Sequence, residues 1–229
     1  MPHDPTQHHD AAEQQTPREF WEARYGGEQV WSGRVNATMA SIVADLAPGR
    51  ALDLGCGEGG DVVHLVEAGW DVTGVDISTA AVARARAAAE ARGGSERVHL
   101  IAADLSDDAV DWGEHAGGAS GFDLVTASFL QSPVALERER ILRRAAATVV
   151  AGGHIVMVSH GAAPPWAPAE ARERGDFPQP ATELANLGVP ADGSGDWEVL
   201  IAELREREAT GPDGEPGVLE DTVVVLRRR

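Results

Sequence analysis

The sequence predicts a single α/β domain built on a largely parallel sheet, on three observations. Apolar strand-like runs alternate with helical ones across residues 51–159, the pattern of a sheet covered by helices on both faces. The first run, residues 51–54, opens directly into Gly55, Gly57 and Gly59. Alternate glycines let a backbone turn tightly at the carboxyl end of a strand and come close to a ligand. Near the chain end, Gly211-Pro212-Asp213-Gly214 separates two alternating apolar runs, a strong turn signal that predicts a closing hairpin.

Taken in order, residues 17–25 and 35–46 read as helices: Pro17 suits a first helical turn, and Ile42, Val43 and Leu46 supply an apolar stripe. Residues 51–54 are the first strand, 61–68 the helix leaving the glycine loop, and 71–75 a second strand ending in Asp76, which makes a βαβ unit. Ser78 or Thr79 caps the next helix, whose alanine-rich run reaches Arg92 before Gly93-Gly94 stops it. A third strand at 98–102 ends near Asp104, and a fourth covers 122–128. A long helix is expected at 134–150, then a break at Gly152-Gly153 and a fifth strand at 154–159. Residues 161–181 carry five prolines and read as an ordered excursion or lid without regular structure. Strands at 198–204 and 222–226 form the hairpin.

The 229 residues show no composition break, so one domain is expected at 17–229 behind a polar, disordered leader at 1–16, with a helical cap at 17–47. His3, His8 and His9 lie in that leader. The 37 acidic residues against 19 basic ones give a formal charge of −18, which opposes attraction to phosphate backbones or anionic membranes, so neither nucleic acid nor membrane is an expected partner. Arg138, Arg140, Arg143 and Arg144 read as the solvated face of a helix. Cys56 is the only cysteine, which rules out an intramolecular disulfide and Cys/His zinc clusters; no metal site is expected. No run approaches membrane-spanning length, and a cytoplasmic protein is expected.

The glycine loop is compatible with two ligands. Gly55, Gly57 and Gly60 satisfy G-x-G-x-x-G, and Asp76 follows at about 20 residues, as in dinucleotide-binding units. Against this, Asp53 lies two residues before Gly55, where a carboxylate would repel a diphosphate and attract a cation. S-adenosylmethionine (SAM), with its ammonium and sulfonium, fits that charge. An NAD(P)-linked oxidoreductase and a protein that binds SAM without turning it over remain the alternatives.

The sequence resembles the class I SAM-dependent methyltransferases, and more narrowly the small bacterial branch similar to tellurite-resistance and thiopurine methyltransferases. The resemblance covers residues 18–229. It is carried by Asp53-Leu54-Gly55-Cys56-Gly57-Glu58-Gly59, Val75-Asp76-Ile77-Ser78, Asp104-Leu105, Phe122-Asp123-Leu124-Val125 and Gly152-Gly153 before a valine-rich strand. Phe20-Trp21-Glu22, Arg24-Tyr25 and Val30-Trp31-Ser32-Gly33 resemble the segment that closes over the cofactor in that branch.

The resemblance implies a Rossmann-like, seven-stranded sheet of order 3-2-1-4-5-7-6 with strand 7 antiparallel. It also implies roles: Gly55, Cys56 and Gly57 beside the methionine portion of SAM, Asp53 near its ammonium, Asp76 on both ribose hydroxyls and Ile77 on the adenine. Asp104 would accept from the adenine amino group, with Leu105 beside the ring; Asp104 as the cap of a turn is the competing reading. Ser128 and Phe129 would pass between cofactor and acceptor, Phe129 equally suiting the core. Trp31 would be a lid aromatic, and Trp21 either a lid or a packing residue. His160, after strand 5 on the ligand side, is the candidate catalytic base, with a structural role as the alternative. Tyr25 and Gln131 are candidates to orient a small-molecule acceptor.

Overall fold

A computed structural model describes residues 15–113, 121–173, 175–190, 192 and 194–229. The leader expected at 1–16 therefore lies outside the described residues except for its last two. Thr16 caps the first helix, α1 (Pro17–Tyr25). Its hydroxyl accepts from the Glu19 N–H, and the Glu19 carboxylate accepts from the Thr16 N–H, a reciprocal cap at the first turn.

A second helix, α2 (Ala37–Val43), is capped by Asn36. Then strands and helices alternate: β1 (Arg50–Leu54), α3 (Gly60–Glu67), β2 (Asp71–Asp76), α4 (Thr79–Ala91), β3 (Val98–Ala102), β4 (Phe122–Ser128), α5 (Arg138–Ala147) and β5 (Val149–His160). Short helices α6 (Ala169–Glu173) and α7 (Pro180–Asn186) precede the hairpin of β6 (Trp197–Thr210) and β7 (Pro216–Arg228).

The strands form one seven-stranded sheet in the order β3-β2-β1-β4-β5-β7-β6. Neighbours are parallel from β3 to β5, while β7 runs antiparallel to both β5 and β6. Chain order reverses between β1 and β4, and in such sheets the crevice at the strands' carboxyl ends beside that point takes ligands.

Alternating side chains along the strands feed two cores. On one face Val125, Met157, Val224 and Leu226 pack with Ile141 and Leu142 of α5 and with Leu187 just after α7. On the other, Leu124, Val156, Val223 and Val225 pack with Met39 and Val43 of α2 and Val62 and Leu65 of α3. Burying a side chain of this size contributes roughly 1.5–3 kcal/mol.

Three expectations are corrected. The helix predicted at 134–150 is confined to α5, because Ala135, Leu136 and Glu137 wall a cavity instead of continuing a helix, and Val149 already pairs with Phe122 of β4. Gly152-Gly153 does not break the chain before the fifth strand. Between the pairs Phe122↔Val149 and Leu124↔His154 the register shifts, and β5 runs through the glycines as a bulge. A Cβ on Gly153 would meet the Val149 side chain at 2.8 Å and the Val150 carbonyl at 3.0 Å, so only glycine fits this pucker. The excursion at 161–181, expected without regular structure, contains α6 and the start of α7.

What docks α7 is a buried ion pair. Glu183, fully buried, receives the Arg138 guanidinium through both oxygens and the Ser159 hydroxyl at 2.8 Å. The same arginine donates from Nε to the Leu130 carbonyl at 2.8 Å. One side chain therefore ties α5, α7, the end of β5 and the loop after β4. Removing one member of such a pair leaves an uncompensated buried charge, so Glu183→Ala is expected to destabilise the fold by about 3–5 kcal/mol in urea denaturation. A loss under about 1 kcal/mol would show that the pair does not hold the excursion.

Candidate functional site

A cavity of about 950 Å³ opens at the carboxyl ends of β1, β2 and β4. Its wall contains every residue expected at a cofactor site: Trp31, Asp53, Gly55, Cys56, Gly57, Asp76, Ile77, Asp104, Leu105, Ser128 and Phe129. His160, Tyr25, Trp21 and Gln131 line it too.

The floor is the glycine loop between β1 and α3. Gly55, Gly57 and Gly59 all have positive φ, at 69°, 49° and 88°, conformations that side chains with a Cβ resist. At Gly59 a Cβ would collide with Ala85 of α4 at 2.8 Å, so this glycine lets α4 approach the loop. The Cβ of a residue at 57 would point toward the cavity roof, 3.2 Å from the Tyr25 hydroxyl.

Asp76, at the end of β2, holds the loop: its Oδ2 accepts from the Gly57 N–H and its Oδ1 from the Ser78 N–H, both at 2.9 Å. Each oxygen keeps acceptor capacity on the cavity side. Burial pushes its pKa up, against the lowering effect of those bonds.

Asp53 and Asp61 form a pair of neighbouring acids. Asp53, 2% exposed, accepts from the Thr126 hydroxyl at 2.8 Å. Burial, and then the nearby Asp61 carboxylate, push its pKa up to about 8. Burial also raises Asp61, only partly offset by the nearby Ser128 hydroxyl, the Asn36 backbone and His64. Asp61 Oδ2 and Ser128 Oγ are buried polar atoms with no hydrogen-bond partner among the described residues. Desolvated acceptors without partners are costly unless a donor arrives. The pocket thus suits a cationic group such as the SAM ammonium and disfavours a diphosphate.

The roof comes from the N-terminal segment, clasped by two glutamates. Glu22 of α1 accepts from the Ser78 hydroxyl at 2.8 Å and from the Thr79 N–H and hydroxyl at 2.7 and 2.5 Å. Burial works against its charge, but these bonds from Thr79 and Ser78 prevail and draw its pKa down to about 2. Glu58, inside the glycine loop and 5% exposed, accepts from the N–H groups of Val30 and Trp31 at 3.0 and 2.8 Å and from Arg84 at 2.6 Å. Trp31, 53% exposed, donates from its indole to the Tyr25 hydroxyl at 3.0 Å. Burial pushes the Tyr25 phenol up to about 12, so it stays protonated at neutral pH.

Beyond the loop lies the other half of the cavity. Phe129 is the one non-glycine residue with positive φ, 54°, among the described residues. Such strain persists only where the surroundings enforce it; here the Phe129 N–H donates to the Val158 carbonyl at 2.7 Å, and the Phe129 carbonyl accepts from Gln131. Its ring lies against His160, centroids 4.4 Å apart. The His160 N–H donates to Gln131 Oε1 at 2.8 Å. Burial lowers the imidazole pKa, Asp221 raises it and Arg207 lowers it, for a net fall that leaves the ring neutral at pH 7.

Asp104 takes the turn-capping role that was its competing reading. It lines the cavity, while its Oδ1 accepts from the Ser106 N–H and hydroxyl at 2.8 and 2.7 Å in a turn. Trp21 likewise lines the cavity and packs, stacking on Tyr25 at 5.8 Å and donating to the Ser132 hydroxyl.

A methyltransferase-domain family model matches residues 52–155, from β1 through the glycine loop into β5. Residues 52–155 thus carry a methyltransferase domain, set in a fold of the class I SAM-dependent methyltransferase type. The enzyme shares its fold with TehB from Haemophilus influenzae at 16% identity and a TM-score of 0.64, over 93% of this chain and 67% of that one. A structure concerned with converting a disulfide into a thioacetal group during echinomycin biosynthesis matches at 23% identity and 0.63, over 92% of each chain. Geranyl diphosphate C-methyltransferase from Streptomyces coelicolor, solved with S-adenosylhomocysteine (SAH), matches at 14% and 0.60, over 93% of this chain and 98% of that one. No curated protein matches the chain. The methyltransferase takes SAM as its cofactor, and the dinucleotide and non-catalytic alternatives give way.

Asp61, Glu58, Glu22 and Arg207 were not singled out by sequence. Asp61 carried a usable signal, in the first turn of the helix that leaves the loop; Glu58 and Glu22 stood inside motifs without a role of their own, and Arg207 reaches the site only through tertiary contacts.

The buried acids give stability a pH signature. A carboxyl whose folded pKa exceeds its unfolded value stabilises fully below the unfolded pKa, about 4, and loses that contribution as pH rises toward the folded value. For Asp53 that window runs up to about 8. Without ligand, the melting temperature is expected to fall from pH 5 to pH 8 more steeply in wild type than in Asp53→Asn. Parallel slopes in thermal denaturation would show that Asp53 titrates normally.

Proposed function

We propose that this enzyme transfers the methyl group of SAM to a small-molecule acceptor bound beside His160. The supporting observation is the continuity of the cavity: one end is floored by the glycine loop and buried carboxylates, the other is walled by Phe129, Gln131 and His160 beneath a side-chain-clasped roof. The formal charge of −18 also favours a small acceptor over a nucleic acid.

When bound, SAM supplies an activated methyl group on a sulfonium. Asp53 and Asp61 hold the ammonium, and the Gly55-Cys56-Gly57 backbone passes beside the methionine portion. Asp76 takes the ribose hydroxyls with two charge-assisted hydrogen bonds. Ile77 and Leu105 flank the adenine, Asp104 accepts from its amino group through the oxygen left by Ser106, and Trp31 with Tyr25 closes the roof. Ser128 and Phe129 lie between the two halves. Orienting bound reactants supplies roughly 7–11 kcal/mol of the barrier. His160, neutral and half-buried, takes the proton of the acceptor's nucleophilic atom, an effect of about 10² to 10⁴.

The deciding experiment is methyl transfer from labelled SAM to a panel of thiols, phenols, amines and carboxylates, run beside bulk RNA. Labelled small-molecule product is expected; label confined to RNA would overturn the acceptor class. Asp76→Ala is expected to weaken SAH by about 1.5–3 kcal/mol in calorimetry, and unchanged affinity would remove Asp76 from the ribose.

A further inference from the structure

Within a strongly acidic chain, the arginines on the cavity wall are Arg34 and Arg207. Arg34 lies on the cofactor side, its backbone against Gly60. Arg207 stands at the opposite end, on β6, far along the chain from every motif that marks the cofactor half.

Its position is built. Arg207 donates from Nε to Asp221 Oδ2 at 2.5 Å, and Asp221, on β7, is 1% exposed. Across the sheet Asp221 is the register partner of His160. The guanidinium lies 5.9 Å from the Phe129 ring centroid, and its charge is felt by the His160 imidazole. Asp221 thus fixes the Nε edge of the fork, while among the described residues the two terminal nitrogens make no hydrogen bond. A guanidinium held this way presents a planar pair of donors, which matches the two oxygens of a carboxylate or phosphate. The neighbouring acid on the wall, Glu208, is solvent-exposed at the rim, where water screens it. Phe129 and His160 add a flat wall beside the fork.

We propose that Arg207 is the specificity residue of the acceptor subsite: it receives an oxyanion, carboxylate or phosphate, carried on a planar acceptor that lies along Phe129 with its nucleophilic atom toward His160. Asp221 acts through Arg207 as a positioning residue. The proposal rests on the acceptor lying in this half of the cavity, as the proposed function has it.

The test is calorimetry on the SAH-saturated full chain with benzoate, phenyl phosphate and benzyl alcohol, probes that share a ring and differ in charge. Benzoate or phenyl phosphate is expected to bind at least tenfold tighter than benzyl alcohol, and the tighter of the two identifies the oxyanion. Arg207→Gln is expected to erase that preference while SAH affinity stays within twofold, and Arg207→Lys to retain part of it. Arg205→Gln, on the same strand and bonded to Glu203, is expected to change nothing. Equal binding of the three probes to wild type, or a preference that survives Arg207→Gln, would overturn the proposal. Should Arg207→Gln lose SAH binding through misfolding, the wild-type preference and Arg207→Lys decide. Failure of wild type to bind SAH would instead strike the cofactor assignment.

Discussion

Three carboxylates, the buried Asp53 and Asp76 and the half-buried Asp61, gather around the glycine loop, and the rest of the site follows from accommodating them. Left in a dry interior, like charges of this kind raise one another's pKa and tend to take up protons. The fold answers with backbone N–H groups on Asp76 and the Thr126 hydroxyl on Asp53, but leaves one Asp61 oxygen without a partner. A ligand with an ammonium and vicinal hydroxyls supplies the missing donors. On the proposed assignment, the acids that would select the cofactor also weaken the protein without it, the trade-off expected where a site is preorganised for charge.

The roof is organised by the same economy of acids. Glu58 sits within the glycine loop and binds the backbone of the segment above it, while Glu22 in that segment binds the first turn of α4. Floor and roof thus hold each other through carboxylate-to-backbone bonds, which leave side chains such as Trp31 and Tyr25 free to shape the cavity. On the opposite face, Arg138 and Glu183 do the corresponding work for the loop after β4, so that Phe129 keeps its unfavourable backbone angle.

Much of this was legible in the sequence because it is local. The glycine loop, Asp76 at a strand end and the turn at 211–214 each depend on residues within a few positions of one another, and β1, β2, α1 and β4 fall within a residue or so of their expected bounds. The errors arose where tertiary contacts override local preference. Residues 135–137 have helical character but wall the cavity, and Gly152-Gly153 looks like a break yet serves as a bulge inside β5. Glu183 on a proline-flanked segment gives no hint of an arginine 45 positions away. Arg207 has no local motif around it and gains its place on the cavity wall only when β6 pairs with β7 at the sheet edge.

The hairpin of β6 and β7 stands at one edge of the sheet, with β6 paired, among the described residues, to β7 alone. It contributes Arg207 to the cavity, whereas the acids and glycines of the cofactor half come from the opposite side of β4. The two halves of the site are therefore written in separate stretches of chain. On the proposed assignment, a change confined to the edge hairpin would alter which acceptor is taken and leave the segment that would handle SAM as it is.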